Sequence, residues 1–394
     1  MGDQETGIPP VPPASGVSSE GAGAEVDQTR ARTFPCAGCG AALTFSIEVQ
    51  SLACGFCGTV RELESTEGRH VEEQDLLASL RAIADGRMEA AGPGKKAGEE
   101  DVVHEVRCGD CGADVQFTGS LTSDECPYCG TAIQLDGVHD AEDRVTVDGV
   151  LPFAIERDVA RRNLGDWVKS RWFAPNEFRR RGAQGRFHGV YLPFWTYDAL
   201  TMNDYTGERG EHYWVTVRRG ERTTQERRTR WYPARGSFRR FFDDVLVFAG
   251  AGLPTKIIAK LDPWPLDRCV PFTPEVLAGY LARTYDTSLE DGFGTAKQRM
   301  HAAIRADVQR RIGGDVQRIH GIDTEFGALT YKHLLLPVWL LVYRFRDKPY
   351  QVAVNAVTGE VQGARPWSVW KITSAIVLAA GLIAGAVYWH QQTV

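Results

Sequence analysis

Eight of the nine cysteines fall into two matching sets. The first is Cys36-Ala-Gly-Cys39, then 14 residues, then Cys54-Gly-Phe-Cys57. The second is Cys108-Gly-Asp-Cys111, then 14 residues, then Cys126-Pro-Tyr-Cys129. Each CxxC pair is followed at once by glycine, at Gly40, Gly58, Gly112 and Gly130. Two such turns can set four thiolates tetrahedrally around one Zn2+, at a Zn–S distance of ~2.3 Å. The glycine lets the chain turn tightly, so that backbone amides face the sulfurs. The spacing predicts two zinc ribbons. Four ligands close each site, so the expected zinc is structural and offers no position to a substrate.

Two other cysteine chemistries compete with this one. A disulfide framework belongs to an exported chain, whereas residues 1–30 are polar, carry Pro9, Pro10, Pro12 and Pro13, and lack the apolar run of a signal peptide. Those residues read as a disordered tail. A redox CxxC does not account for four such turns at one repeated spacing. Reduced thiolates place the chain in the cytoplasm. The remaining Cys269 is expected to be a core thiol.

Other chemistry is sparse. There is no Walker A string, and no GxSxG, HExxH or GxGxxG motif. Acidic pairs such as Asp243-Asp244 read as structural, and no nucleophile has an identifiable base. An enzyme is therefore not expected. The most suggestive surface is the stretch 205–242, with ten arginines against four glutamates and aromatic residues interleaved. Arg218, Arg219, Arg227, Arg228, Arg230, Arg239 and Arg240 are its candidate binders of an anionic ligand. Such a surface could grip single-stranded nucleic acid, face anionic lipid headgroups, or be a hairpin with a solvated polar side.

Charge divides the chain. Residues 1–150 hold 27 acidic and 10 basic side chains, and the remainder 24 and 35, so a half of −17 precedes one of +11. The ribbons are too acidic to read phosphates and suit contact with protein. The expected domains are a tail at 1–30, ribbon one at 31–65, a helix and linker at 66–103, ribbon two and its linker at 104–148, a body at 149–366 and a span at 370–390. The fold class is multidomain: two small β ribbons, an α+β body, and one transmembrane helix.

Within the body, helices are expected at 156–173 and from Thr273-Pro274 to Gly313, a strand at 190–197, and a β-rich stretch over 209–248 with turns at Gly220 and Gly236. Leu151-Pro-Phe153 leads to Leu192-Pro-Phe-Trp195, and Val270-Pro-Phe272 to Leu336-Pro-Val-Trp339. Similar strings follow each, Asn203–Glu208 and Asn355–Glu360. That order suggests an internal duplication, with halves at about 149–248 and 268–364.

Ile372–Tyr388 is 17 residues without a charge, bordered by Trp367 and Trp370 on one side and Tyr388 and Trp389 on the other. Length and aromatic borders fit a membrane span acting as a tail anchor. Arg365 and Lys371 precede it, which leaves the large N-terminal part in the cytoplasm by the positive-inside rule.

The CxxCG turns, Gly189-Val-Tyr-Leu-Pro-Phe-Trp-Thr-Tyr-Asp198, Phe242-Asp-Asp-Val-Leu-Val247, Leu335-Leu-Pro-Val-Trp339 and Asn355-x-x-Thr-Gly359 together resemble a bacterial family of membrane-attached double-zinc-ribbon proteins. The resemblance covers roughly 30–390. Members are often labelled as relatives of the primosomal replication helicase, a label at odds with the missing ATPase motif. The resemblance implies eight cysteine ligands for two zinc ions. It also implies a role in assembling membrane-associated complexes, beside flotillin-like or phage-shock-type membrane proteins. The expectation is an inner-membrane adaptor that recruits protein partners; the alternative is a membrane-tethered single-strand nucleic-acid binder.

Overall fold

The structure, a computed structural model, describes residues 31–32, 34–63, 70–86, 103–107, 114–118, 121–125, 132–135, 145–176, 187–220, 222–250, 253–345 and 348–393. Its labelled elements are α1 (Leu76–Ala84), α2 (Arg157–Ser170), β1 (Phe187–Arg219), β2 (Arg222–Phe242), α3 (Leu289–Ile312), β3 (Val316–Phe345), β4 (Lys348–Asn355) and α4 (Val369–Thr393).

Two long strands form the spine. β1 and β3 pair antiparallel from Phe187↔Leu341 to Gly210↔Val316, with irregularities at Asp198/Leu200 and Thr206/Gly207. Shorter strands line their outer edges. Along β1 these are Leu281–Arg283, Val247–Phe248 and then β2. Along β3 they are β4, Gly149–Val150 and Gln74–Asp75. In the first part of β1, side chains alternate between two buried faces. Val190, Leu192 and Phe194 enter one cluster with Trp264 and Leu336, while Tyr191, Trp195 and Tyr197 point the other way. Strict period two with apolar residues on both faces is the pattern of a central strand.

Helices α1, α2 and α3 close one side of the sheet. α3 buries Phe293, Ala296, Met300, Ile304, Val308 and Ile312, a stripe at helical spacing, against β1, β2 and β3. Ser288 caps it by accepting from the Asp291 amide at 3.1 Å, and Gly313 ends it at φ 67°. α2 buries Ala160, Leu164 and Val168.

The helix expected from Thr273 starts only at Leu289. Pro274–Leu277 is a short 3-10 turn, Gly279 turns at φ 87°, and Leu281–Arg283 joins the sheet. Gly236 is no turn either: it pairs with Tyr205 inside the sheet, where an added Cβ would lie 2.8 Å from the Tyr205 hydroxyl. The two LPxW strings lie across from each other, Leu192 opposite Leu336. The strings after them do not correspond. Asn203 sits within β1, whereas Asn355 accepts from the amides of Val357 and Thr358 to close a turn.

The acidic N-terminal part is stitched into the body. Phe34, Leu43, Phe45 and Leu52 share one core cluster with Phe153, Val276 and Trp339. The Phe45 amide donates to Ala278 O at 2.9 Å, and Gln50 Nε2 to Phe153 O at 2.9 Å. Leu121–Glu125 pairs with Leu281–Arg283, so this hairpin extends the main sheet.

Candidate functional site

The first cysteine set folds as its spacing requires. Strands Leu43–Ser46 and Ser51–Cys54 form a hairpin. Gly40 and Gly58, at φ 78° and 73°, close matching turns in which Gly40 N donates to Cys36 O and Gly58 N to Cys54 O. The four Sγ atoms of Cys36, Cys39, Cys54 and Cys57 lie within 4.8 Å of one another. Cys36–Cys57 and Cys39–Cys54 both stand at 3.5 Å. A disulfide would need ~2.05 Å. A tetrahedron with ~2.3 Å bonds has edges of about 3.8 Å, so the donor set fits a thiophilic metal ion.

The sulfurs already show the strain of four like groups. The Thr59 hydroxyl and amide draw Cys57 down to about 6. At Cys39 the Ala41 amide pulls down, but the Cys57, Cys54 and Cys36 sulfurs outweigh it and push the thiol up to about 12. A cation at their centre would remove that conflict. Cys36 and Cys54 are buried among the core residues. Cys108, Cys111, Cys126 and Cys129 lie outside the described residues. Cys269 is half-buried, and burial pushes its thiol up to about 12.

α4 is the second feature. Val369–His390 is 22 residues long and apolar enough to cross a membrane, with none of it buried in the protein. At 1.5 Å per residue it reaches about 33 Å, the thickness of a hydrocarbon core. Its root is fixed: Lys371 Nζ donates to Trp172 O at 3.0 Å, Ala174 O at 2.9 Å and Asn176 Oδ1 at 2.7 Å. The Ser368 amide adds a bond to Phe173 O at 2.8 Å.

The candidate arginines do not form one patch. β3 stops pairing at Gly210, and beyond it β1 and β2 continue as a two-stranded hairpin tip over 211–230. Alternation along β1 and β2 puts Arg218, Arg227 and Arg239 on the face away from α3, and Arg228, Arg230 and Arg240 on the α3 side. Arg240 is structural, since it pairs with Asp307 of α3 and stacks on Phe242 at 4.5 Å. Arg230 lies over Tyr213 at 5.2 Å, and Arg228 is 3.8 Å from Glu226. Arg227 stands opposite the exposed Trp214 on one face. The Arg219 side chain lies outside the described residues. The tip lies beyond the last β1–β3 pair, whereas the root of α4 adjoins Phe173 and Ala174, and Ala174 belongs to the same core cluster as Phe187 at the start of β1.

One charge cluster escaped sequence reasoning. Lys332 Nζ lies 2.8 Å from Asp244 Oδ1, 3.2 Å from Glu73 Oε1 and 3.7 Å from Asp198 Oδ2, with 11% of its side chain exposed. Asp198, Asp243 and Asp244 are close enough to hold a cation. The ammonium already supplies positive charge there, so the group reads as a buried ion-pair network. Only Asp243-Asp244 was visible in sequence; Lys332 and Glu73 reach it through strand pairing.

Over 347 residues the chain is 24% identical to the uncharacterised protein YdjG of Bacillus subtilis (strain 168), a match spanning 87% of this chain and 92% of that protein. No family model and no solved structure matches the chain.

Proposed function

We propose that this protein is a membrane-anchored adaptor whose zinc-bearing ribbons stiffen a β-rich body and whose hairpin tip presents a binding surface to partner proteins. The observation that carries it is α4, apolar and with no residue buried along its span, yet held at its root by the body. A helix of that kind belongs in lipid rather than water. Zn2+ suits the four-cysteine set by ligand type and count, and holds it without leaving an open position. The second set, by its identical spacing, takes a second ion. Reduced thiolates and the cations Arg365 and Lys371 before the span support a cytoplasmic body on the inner membrane.

The adaptor role rests on the tip. A two-stranded ribbon exposing Trp214, Tyr213 and Arg227 offers aromatic and arginine anchors of the type that dominate protein interfaces. Membrane proteins of the flotillin-like or phage-shock type are the partners the family resemblance implies. The alternative, single-strand nucleic acid, draws on the same Trp214/Arg227 face.

The test is a pull-down of the full chain from detergent-solubilised membranes, with and without nuclease, beside a W214A/R227A variant. The expected result is a nuclease-resistant set of proteins that the variant loses. Recovery of nucleic acid that salt abolishes would replace the adaptor by the alternative. Deleting 366–394 should move the chain to the soluble fraction; retention in membranes would remove the anchor.

A further inference from the structure

The end of the body beside the α4 root is built for lipid in its own right. Three tryptophans stand at or next to this root with large exposure: Trp172 at 64%, Trp367 at 56% and Trp370 at 85%. Trp172 belongs to the body, in the loop after α2. Its carbonyl accepts from Lys371 Nζ, so it is bound to the first turn of α4 by a 3.0 Å hydrogen bond. The one lysine of α4 is thereby spent on protein acceptors, and the loop travels with the helix.

Two guanidiniums share this end. Arg171 stacks over Trp167 at 4.8 Å and Arg365 over Trp367 at 4.4 Å. Burial, and then the neighbouring Arg171 charge, hold Arg365 below the usual arginine range. Among the described residues neither makes an ion pair with a carboxylate; the nearby Asp166 is taken by Lys169 at 3.2 Å. Arginines that repel one another, stacked on indoles and unmatched by carboxylates, form a receptor for an anion.

We propose that this end is a bilayer-docking surface, in which Trp172, Trp367 and Trp370 seat at the headgroup–acyl boundary while Arg171 and Arg365 take the phosphates of anionic phospholipid. The inference rests on α4 crossing the membrane and adds that the folded body itself touches lipid, through a residue some 200 positions from the span in sequence. Indole rings prefer that boundary, and arginine in the adjoining layer is drawn to anionic headgroups. The body is thus held against the membrane face at the C-terminal end of α2, rather than hanging from α4 by a loose tether.

The test uses the full chain in nanodiscs of phosphatidylcholine and phosphatidylglycerol, with ordinary or brominated acyl chains, the bromines placed near the headgroup. The emission of Trp172 is read as the difference between the wild type and W172F, and that of Trp389 as the difference from W389F. Brominated lipid should cut the Trp172 signal by about twofold or more, a contact effect for a ring at the interface. The R171Q/R365Q variant should lose much of that quenching, and so should wild type in discs without phosphatidylglycerol. An unquenched Trp172 beside a quenched Trp389 overturns the docking surface and leaves the span standing. Failure of both to quench overturns the span as well. Both replaced indoles are exposed, so W172F and W389F test contact rather than folding.

Discussion

Asp148 and His333 exchange two hydrogen bonds: the His333 amide donates to Asp148 Oδ2 at 2.7 Å, and the Asp148 amide to His333 O at 2.9 Å. Both side chains titrate in unusual ranges. Burial pushes Asp148 up to about 6, against the pull of the His333 amide, Gln74 and Lys332. Burial drives His333 down to about 4, although its ring faces the Thr146 carbonyl.

The two shifts act on stability with opposite sign. Asp148 rises from 3.8 to about 6, so its contribution is full below pH 3.8 and lost as pH climbs through 6. His333 falls from 6.5 to about 4, so its contribution is full above pH 6.5 and lost as pH drops through 4. Each shift corresponds to about 3 kcal/mol, and between pH 4 and 6 they largely cancel. D148N should uncover the histidine slope, with stability falling as pH goes from 6.5 to 4. H333Q should uncover the opposite slope. Urea denaturation of each variant in detergent across this range checks it, and equal slopes in both would refute the assignment.

Metal removal should destabilise the body as well as the ribbon. Cys36 and Cys54 belong to the same core cluster as Phe153, Tyr191 and Trp339. C54S should lose one zinc of an expected two per chain, measured by metal analysis of a reduced sample, and lower the Tm of the single main transition. A chelator should do the same to wild type. A ribbon that melts separately while the body keeps its Tm would show that the shared core does not couple them.

The arginines should separate by position. R240A removes the ion pair with Asp307 and the stack on Phe242, and should cost about 1–3 kcal/mol in chemical denaturation. R227A, exposed on the tip, should stay within about 0.5 kcal/mol of wild type. Its effect should appear only in the recovery of partners. Similar stability losses in both would contradict the placement of Arg227.

Gly292 should not tolerate a methyl. A Cβ there would lie 2.4 Å from the Tyr197 hydroxyl and 2.7 Å from Trp195 Cδ1, where α3 rests on β1. Alanine favours a helix over glycine by about 1 kcal/mol, yet overpacking costs about 1–3 kcal/mol. G292A should therefore destabilise. G294A, with nothing within 4 Å, should stabilise or be neutral by the same thermal assay.

The sequence made its local features legible and left the long-range ones hidden. Cysteine spacing fixed the geometry of the first set because each CxxCG turn is a local structure that needs no distant partner. α4 was equally plain, since a chargeless run carries its own environment. β1 is legible in two pieces, 190–197 as an apolar strand and 209–248 as a β-rich stretch, but only the structure joins them into one strand that runs from Phe187 to Arg219. Between them, over 198–208, the residues are mixed and polar, and pairing with β2 and β3 holds them extended. The Thr273-Pro274 start signal was real but brief, overridden by the pairing of Leu281–Arg283 with β1. Trp172 and Lys332 gained their partners across roughly 200 and 130 residues, by sequence separation that no local pattern encodes.

The length of β1 makes the hairpin a lever. From Phe187 to Trp214 the strand runs on the order of 90 Å along its path at the usual rise per residue. A tilt of about 10° at its base would swing the far end by about 16 Å over that distance. Small changes in how the base sits would thus sweep Trp214 and Arg227 through a wide arc, without any rearrangement inside the sheet.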